Sequence, residues 1–368
     1  MARCVVCGKS SKVVSSTLSV CLECIRKRFD SVSSHIADIH ANSRKEFKLP
    51  LVPPKSEGGI ECGLCSNDCR IAAGERGYCG VRSNESGTLV SEDGILDWYH
   101  DPLPTNCVAD WVCAGGSPAG YPQYSYRQEA EFGYENLAVF YRACSFNCLY
   151  CQNWHFKQTT GHSRVSPEEL AARAGTRTSC ICYFGGDPAP QMDHAIRTSE
   201  LARASNPDRI LRICWETNGT MGKPSLQSML HLSLLSGGCL KFNLKAFTEE
   251  LNLALCGASN QSTLRNFEYA ASFCKERRDP PLLVASTLLV PGYVDLDEVR
   301  SIARFVAELD RDIPYVLLGF HPHFLMKDLP RTSRDHAYRA LAAAQDEGLR
   351  RVRVGNMHLL SDSYGTAE

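Results

Sequence analysis

The stretch Tyr141-Arg142-Ala143-Cys144-Ser145-Phe146-Asn147-Cys148-Leu149-Tyr150-Cys151-Gln152-Asn153-Trp154 carries three cysteines in eight residues, spaced Cys-x-x-x-Cys-x-x-Cys. It follows directly on residues 137–141, an apolar run of strand length. Three thiolates can hold three irons of a [4Fe–4S] cube and leave the fourth iron open, whereas most electron-transfer clusters use four cysteines. Taken alone, the triad could also be a zinc knuckle awaiting a distant fourth ligand, or three small buried hydrophobes. Its position after a strand favours the open cluster, because loops at the carboxyl ends of barrel strands carry active sites.

Working outward, residues 136–368 alternate strand-like and helix-like segments. The strand candidates are 137–141, 180–184, 211–215, 240–244, 282–290, 315–320 and 352–354. Between them lie helical stretches, one opening on a capping box (Ser166, Pro167, Glu169) and others at 296–309 and 333–347. Regular alternation predicts an α/β fold with a parallel sheet covered by helices. Six or seven units suit a partial (β/α)6-type barrel, with an open doubly wound sheet as the alternative. Ahead of this region stand 1–30, with two Cys-x-x-Cys pairs, then 31–59, a helix (26–41 in pattern) and a proline-containing linker, and 60–135, rich in Cys and Gly and weakly periodic.

The signature is similar to that of the radical S-adenosylmethionine (radical SAM) superfamily, including the aromatic Tyr150 before the third cysteine. Cys151-Gln152-Asn153-Trp154 resembles the pyruvate formate-lyase activating enzyme branch, and especially the AmmeMemoRadiSam-type radical SAM proteins, over residues 60–360. The resemblance implies a radical SAM barrel holding a [4Fe–4S] cluster on Cys144, Cys148 and Cys151. It implies further cofactor contacts. Tyr183-Phe184-Gly185-Gly186-Asp187-Pro188 is similar to the family's Gly-Gly-Glu motif, so Gly185, Gly186 and Asp187 are expected to meet the SAM amino group. By their own acceptors Glu216 or Asn218, in Glu216-Thr217-Asn218-Gly219, could hydrogen-bond the ribose, although Asn218-Gly219 is equally a good turn pair. Lys245 matches a lysine that contacts SAM, Asn243 stands where the family has a cation-binding aspartate, and His321 is expected against the nucleoside. Gly355 either lets the backbone approach the adenine or makes a turn.

The chain has 19 cysteines. Residues 1–4 lack the apolar core of a signal peptide, which leads us to expect a cytoplasmic protein whose paired cysteines bind metal rather than form disulfides. Cys4, Cys7, Cys21 and Cys24 have zinc-ribbon spacing, and so short a segment needs a metal to hold it. Cys62, Cys65, Cys69 and Cys79 fit a second metal or an auxiliary Fe–S cluster. Cys107 and Cys113 could complete one of these sites or add another. Cys180, Cys182, Cys214, Cys239, Cys256 and Cys274 read as packing residues, although Cys180 and Cys182 share one strand face.

A net charge of -1, from 40 basic and 41 acidic residues, gives no electrostatic case for nucleic acid, and no apolar run is long enough for a membrane. The resemblance implies reductive SAM cleavage to a 5′-deoxyadenosyl radical that takes hydrogen from a substrate. A partner protein is the favoured substrate, with flavodoxin or ferredoxin as electron donor. The alternatives are a small-molecule substrate, or a non-catalytic Fe–S/zinc scaffold.

Overall fold

A computed structural model of the chain describes residues 1–91, 94–105, 107–158 and 164–365. Its centre is an eight-stranded sheet. The strands are β1 (Leu96–Pro102), β2 (Glu135–Tyr141), β3 (Thr178–Gly185), β4 (Arg212–Thr217), β5 (Leu240–Asn243), β6 (Leu283–Leu289), β7 (Tyr315–Gly319) and β8 (Val352–Gly355). They lie side by side in chain order, β2 to β8 parallel and β1 antiparallel on β2. A doubly wound sheet reverses its strand order partway, and this one never does. Parallel crossovers are right-handed as a rule, and six in one direction put the intervening helices on one face and curl the sheet around the other. Among the described residues β1 and β8 do not pair, so the barrel is partial, as expected.

The covering helices are α3 (Pro167–Ala171), α4 (Met192–Ala204), α5 (Lys223–Ser236), α6 (Glu249–Cys256), α7 (Gln261–Ala271), α8 (Leu296–Leu309) and α9 (Arg334–Asp346). The Ser166 hydroxyl accepts from Glu169 N (3.1 Å) while the Glu169 carboxylate accepts from Ser166 N (2.8 Å), the reciprocal cap expected there. Strand alternation separates two environments. Tyr183 and Trp215 face outward and bond to helix hydroxyls, Tyr183 Oη to Ser199 Oγ at 2.8 Å and Trp215 Nε1 to Ser233 Oγ at 3.1 Å. Their neighbours Cys182, Cys214 and Glu216 face the lumen.

Strand β1 lies inside the segment that had no clear periodicity. It is an edge strand carrying two aspartates and packs on one side only, so it lacks the continuous apolar run of its neighbours. The segment after it turns back into the barrel, where Ala109 and Val112 pack on Val284 and Val316 of β6 and β7.

The amino-terminal residues pack on the barrel's outer rim. Helices α1 (Leu22–Lys27) and α2 (Phe29–Lys45) follow a two-strand ribbon. Leu18, Val20 and Ile25 are fully buried in the main core. Tyr293 Oη accepts from Ser15 N (3.0 Å) and donates to Val20 O (3.1 Å), and Arg26 makes a bidentate pair with Asp295 (2.7 Å). No helix among the described residues is long and apolar enough to cross a membrane.

Candidate active site

The loop leaving β2 carries Cys144, buried, and Cys148 and Cys151, half-buried. Its backbone is pinned to the end of α6, Asn147 N to Cys256 O at 2.8 Å and Leu149 N to Leu255 O at 3.0 Å. The Asn147 side chain is a buried hub. Its amide nitrogen donates to His40 Nδ1 (3.0 Å) and Ser43 Oγ (2.8 Å) on α2, and its oxygen accepts from Lys157. Helix α2 thus braces the triad loop.

Two cations are buried around this loop. Arg44 is 2% exposed and Lys157 is 1% exposed. Among the described residues Arg44 donates to the carbonyls of Pro50 and Tyr78. Neither residue has a carboxylate within ion-pair reach among the described residues. Burial lowers Lys157 to about 8, and the thiols of Cys151, Cys144 and Cys148 oppose that shift. Burial lowers Arg44 too, opposed by Tyr78, Cys144 and Cys79. Arg44 lies over the Tyr78 ring (3.5 Å to its centroid) and Lys157 over Phe324 (5.0 Å), which offsets part of the cost of burying them. Buried charge without an ion partner still favours an anionic guest at the loop. Three thiolates with one open iron fit that need. Cys148 is drawn down to about 7, first by its hydrogen bond with Cys256 and then by Lys245 and Lys157, while burial pushes Cys151 up to about 12.

The triad opens on a cavity of about 620 Å³ in the barrel lumen. Gly185, Gly186, Asp187, Glu216, Asn218 and Lys245 all line it. The two glycines are required by close packing. A Cβ on Gly185 (φ +101°) would lie 2.6 Å from Phe140 Cα, and one on Gly186 would lie 2.0 Å from Ala143 O. Gly186 N and Asp187 N donate to Tyr141 O and Ala143 O, both at 2.8 Å, tying the end of β3 to the root of the triad loop.

Asp187 stands differently from the expectation. It is 2% exposed, and its carboxylate already accepts from Asn218 N (2.7 Å), Ala189 N (2.9 Å) and Thr217 Oγ1 (3.0 Å). Burial raises it to about 6 against the pull of those bonds. It clamps the ends of β3 and β4 together, leaving backbone carbonyls as the freer acceptors for an ammonium. Asn218 lines the cavity with its side chain engaged, donating to Ser145 Oγ (2.8 Å) and accepting from Thr220 N (3.1 Å). Glu216 pairs with Lys241 at 3.2 Å. Lys245 is half-buried and has no hydrogen-bond or ion-pair partner among the described residues, and Asn243 Oδ1 is buried without one. Both are open to a polar ligand. His321 is not brought to the cavity; its Nδ1 sits 3.1 Å from Pro322 O, beyond the end of β7. Gly355 and Asn356 do line it.

Sequence reasoning missed the floor of this cavity. Cys180, Cys182, Cys214 and Cys239, taken as packing residues, line it together with Cys107 and Cys113. The shared face of Cys180 and Cys182 was the available signal. Cys256 lies 3.6 Å from Tyr150 Oη, and Cys274 is in the core, as read. The brace residues Asn147, His40, Arg44 and Lys157 had no motif to announce them.

Two further cysteine groups lie outside the lumen. The sulfurs of Cys4, Cys7, Cys21 and Cys24 all lie within 4.8 Å of one another, single-ion spacing, and among the described residues no other His/Cys/Asp/Glu group does so. Burial pushes Cys4 up, but backbone bonds from Cys7, Cys21 and Val6 outweigh it and bring it to about 6. Burial raises the thiols of Cys65, Cys69 and Cys79, and neighbouring cysteines of the group, Cys62 among them, add to it, yet the four are not at that spacing.

A partial barrel with a cysteine triad at a strand end defines a class, and comparison with known proteins agrees with it. Residues 138–306 match the Radical SAM superfamily, so the chain carries a radical SAM domain. It is 27% identical to the pyruvate formate-lyase 1-activating enzyme of Escherichia coli (strain K12), over 50% of this chain and 75% of that one. It is 26% identical to an uncharacterized protein of Methanocaldococcus jannaschii, over 81% of each. Among solved structures it is similar to Streptococcus suis SuiB bound to S-adenosylmethionine, with a TM-score of 0.45 and 13% identity. That match covers 61% of this chain and about half (51%) of the SuiB chain. Radical SAM domains work with a [4Fe–4S] cluster and SAM, and the chain is accordingly an enzyme of SAM-dependent radical chemistry.

Proposed function

We propose that Cys144, Cys148 and Cys151 hold the [4Fe–4S] cluster, that Lys245 pairs with the SAM carboxylate, and that the carbonyls around Gly185 and Gly186 receive its ammonium. The observations that carry this reading are the triad cysteines and the unpartnered Lys245 lining one cavity, with Arg44 and Lys157 buried beside the triad loop and, among the described residues, without a carboxylate partner. Bound there, the cluster and SAM supply one-electron cleavage of the sulfonium to methionine and a 5′-deoxyadenosyl radical. The chain's own part is to hold, orient and shield. Asp187 and Asn218 fix the strand ends against the triad loop, and Lys245 can form a charge-assisted bond.

The substrate we propose is a carbon on a partner protein, by analogy with the activating enzyme, with flavodoxin or ferredoxin as electron donor. The polar floor of the lumen favours a second reading, a small molecule held by side chains below SAM. Cys4, Cys7, Cys21 and Cys24 are proposed to hold zinc, and Cys62, Cys65, Cys69 and Cys79 a second metal or an auxiliary cluster. In domain terms, 1–30 is the zinc segment, 31–59 the brace and linker, 60–135 the second cysteine segment and 136–368 the barrel.

The test is anaerobic reconstitution followed by incubation with SAM and a one-electron reductant. We expect 5′-deoxyadenosine and methionine in equal amounts, and an electron paramagnetic signal that changes on adding SAM. Triple substitution of Cys144, Cys148 and Cys151 by Ala should abolish both. A SAM-responsive signal surviving in that variant would overturn the assignment.

A further inference from the structure

Below the triad the lumen ends in a group that the proposed SAM site does not use. The Lys241 side chain is 2% exposed, and its Nζ lies 2.9 Å from Cys182 Sγ, 3.2 Å from Cys107 Sγ and 3.2 Å from Glu216 Oε1. Three neighbouring strands and the inserted segment meet here, Cys182 from β3, Glu216 from β4, Lys241 from β5 and Cys107 from the loop that Ala109 and Val112 anchor in the barrel. Glu216 balances the buried ammonium. The two thiols have no such structural duty, yet both line the same cavity as the triad cysteines and Lys245.

We propose that Cys107 is a hydrogen-atom donor to the carbon-centred radical formed in this cavity, with Lys241 as its positioning residue and proton source. The inference rests on the radical chemistry proposed above. Cys107 is the better placed thiol, because it stands on an inserted loop and its Sγ is 3.6 Å from Glu216 Oε1, on the strand whose next two residues clamp Asp187 beside Cys144. Cys182 lies flush in β3, level with Cys214. Burial pushes the Cys107 thiol well above its usual range, against the pull of the Lys241 ammonium, so the sulfur carries its hydrogen at neutral pH.

In the step, the Cys107 S–H bond breaks homolytically, its hydrogen joins the carbon radical, and sulfur is left as a thiyl. The S–H bond is weaker than the C–H bond formed, so the transfer runs downhill. One electron from the one-electron donor that SAM cleavage already requires, and one proton from the Lys241 ammonium, restore the thiol. Lysine then regains its proton from water.

The experiment needs no substrate. Reconstituted full-length protein in D2O, where thiol hydrogens exchange, is given SAM and dithionite, and the 5′-deoxyadenosine is analysed by mass spectrometry. We expect most of it to carry one deuterium from wild-type protein, and at least about tenfold less per molecule from Cys107→Ser, whose O–H bond is too strong to yield. Cys182→Ser should keep the deuterium. Samples frozen during turnover should show a sulfur-centred paramagnetic signal that Cys107→Ser lacks, while matched cluster absorption certifies folding. Deuterium absent from the wild-type product, retained in Cys107→Ser, or lost only in Cys182→Ser overturns the proposal. Wild-type protein that forms no 5′-deoxyadenosine overturns the reading beneath it, and the proposal with it.

Discussion

The amino-terminal cysteines and the triad are built for different guests. Cys4, Cys7, Cys21 and Cys24 gather within 4.8 Å, and the fold around them is a short ribbon and helix. The triad sulfurs do not reach single-ion spacing, and two buried cations face them. A mononuclear site draws its ligands onto one point and staples a segment too small to hold itself. A cluster is larger than an ion and, with its thiolates, carries net negative charge. The chain around it must leave room and supply countercharge.

The sharpest way to break this comparison is Lys157→Met. In iron-free protein the change removes a buried charge and an Asn147 partner together, so its effect on stability should be small. In loaded protein it strips one partner from a buried charge pair, a loss of ~3–5 kcal/mol. We expect iron release to a chelator to accelerate at least about 100-fold, which is the lower end of that range at 1.4 kcal/mol per tenfold. Zinc release from the amino-terminal group should not change. Equal iron release in variant and wild type would show that the cation does not serve the cluster.

Acid should separate the two regions as well. His40 joins α2 to the triad loop, with Nδ1 accepting from Asn147 and Nε2 on Ala254 O at 3.1 Å. Burial lowers it from 6.5 to about 4. The unfolded chain therefore binds the proton more readily, and the stability that neutral His40 contributes is present above pH 6.5 and lost as pH falls toward about 4. The loss should be on the order of 3 kcal/mol. His40→Gln should flatten this part of the profile, measured by denaturant unfolding of iron-free protein. A variant with the wild-type slope would place the acid sensitivity elsewhere.

What the sequence revealed follows from how each feature is encoded. The strands β2 to β7 were legible because parallel strands buried on both faces are nearly continuous apolar runs. The Ser166 cap was legible because a capping box is local in sequence. Strand β1 was not, since an edge strand carrying Asp97 and Asp101 has no continuous apolar run. The brace was hidden for another reason. Asn147 meets His40 and Ser43 from more than 100 positions away, and no short pattern records such a contact. The floor was half visible. Cys180 and Cys182 showed their common face, but only the fold brings Lys241 and Cys107 to it.

Asp187 gives the finest test, because motif and geometry assign it different work. Its motif resemblance makes it a ligand for the SAM ammonium, so affinity should follow its charge. Its geometry makes it a clamp, with two backbone amides and one hydroxyl donating to its carboxylate. Asp187→Ala leaves those buried donors unmatched and should cost about 1–3 kcal/mol of stability. Asp187→Asn keeps an acceptor and should lie between. Asp187→Glu restores the commoner motif but adds a methylene in a pocket already filled, so the clamp reading puts it near Ala. Chemical denaturation of the iron-free proteins and calorimetric SAM titration of the loaded ones, matched for iron, separate the readings. We expect stability to fall in the order wild type, Asn, then Glu and Ala together, with SAM affinity changing less than about tenfold. Wild-type stability in Glu combined with a SAM affinity that tracks charge would return Asp187 to the ligand role.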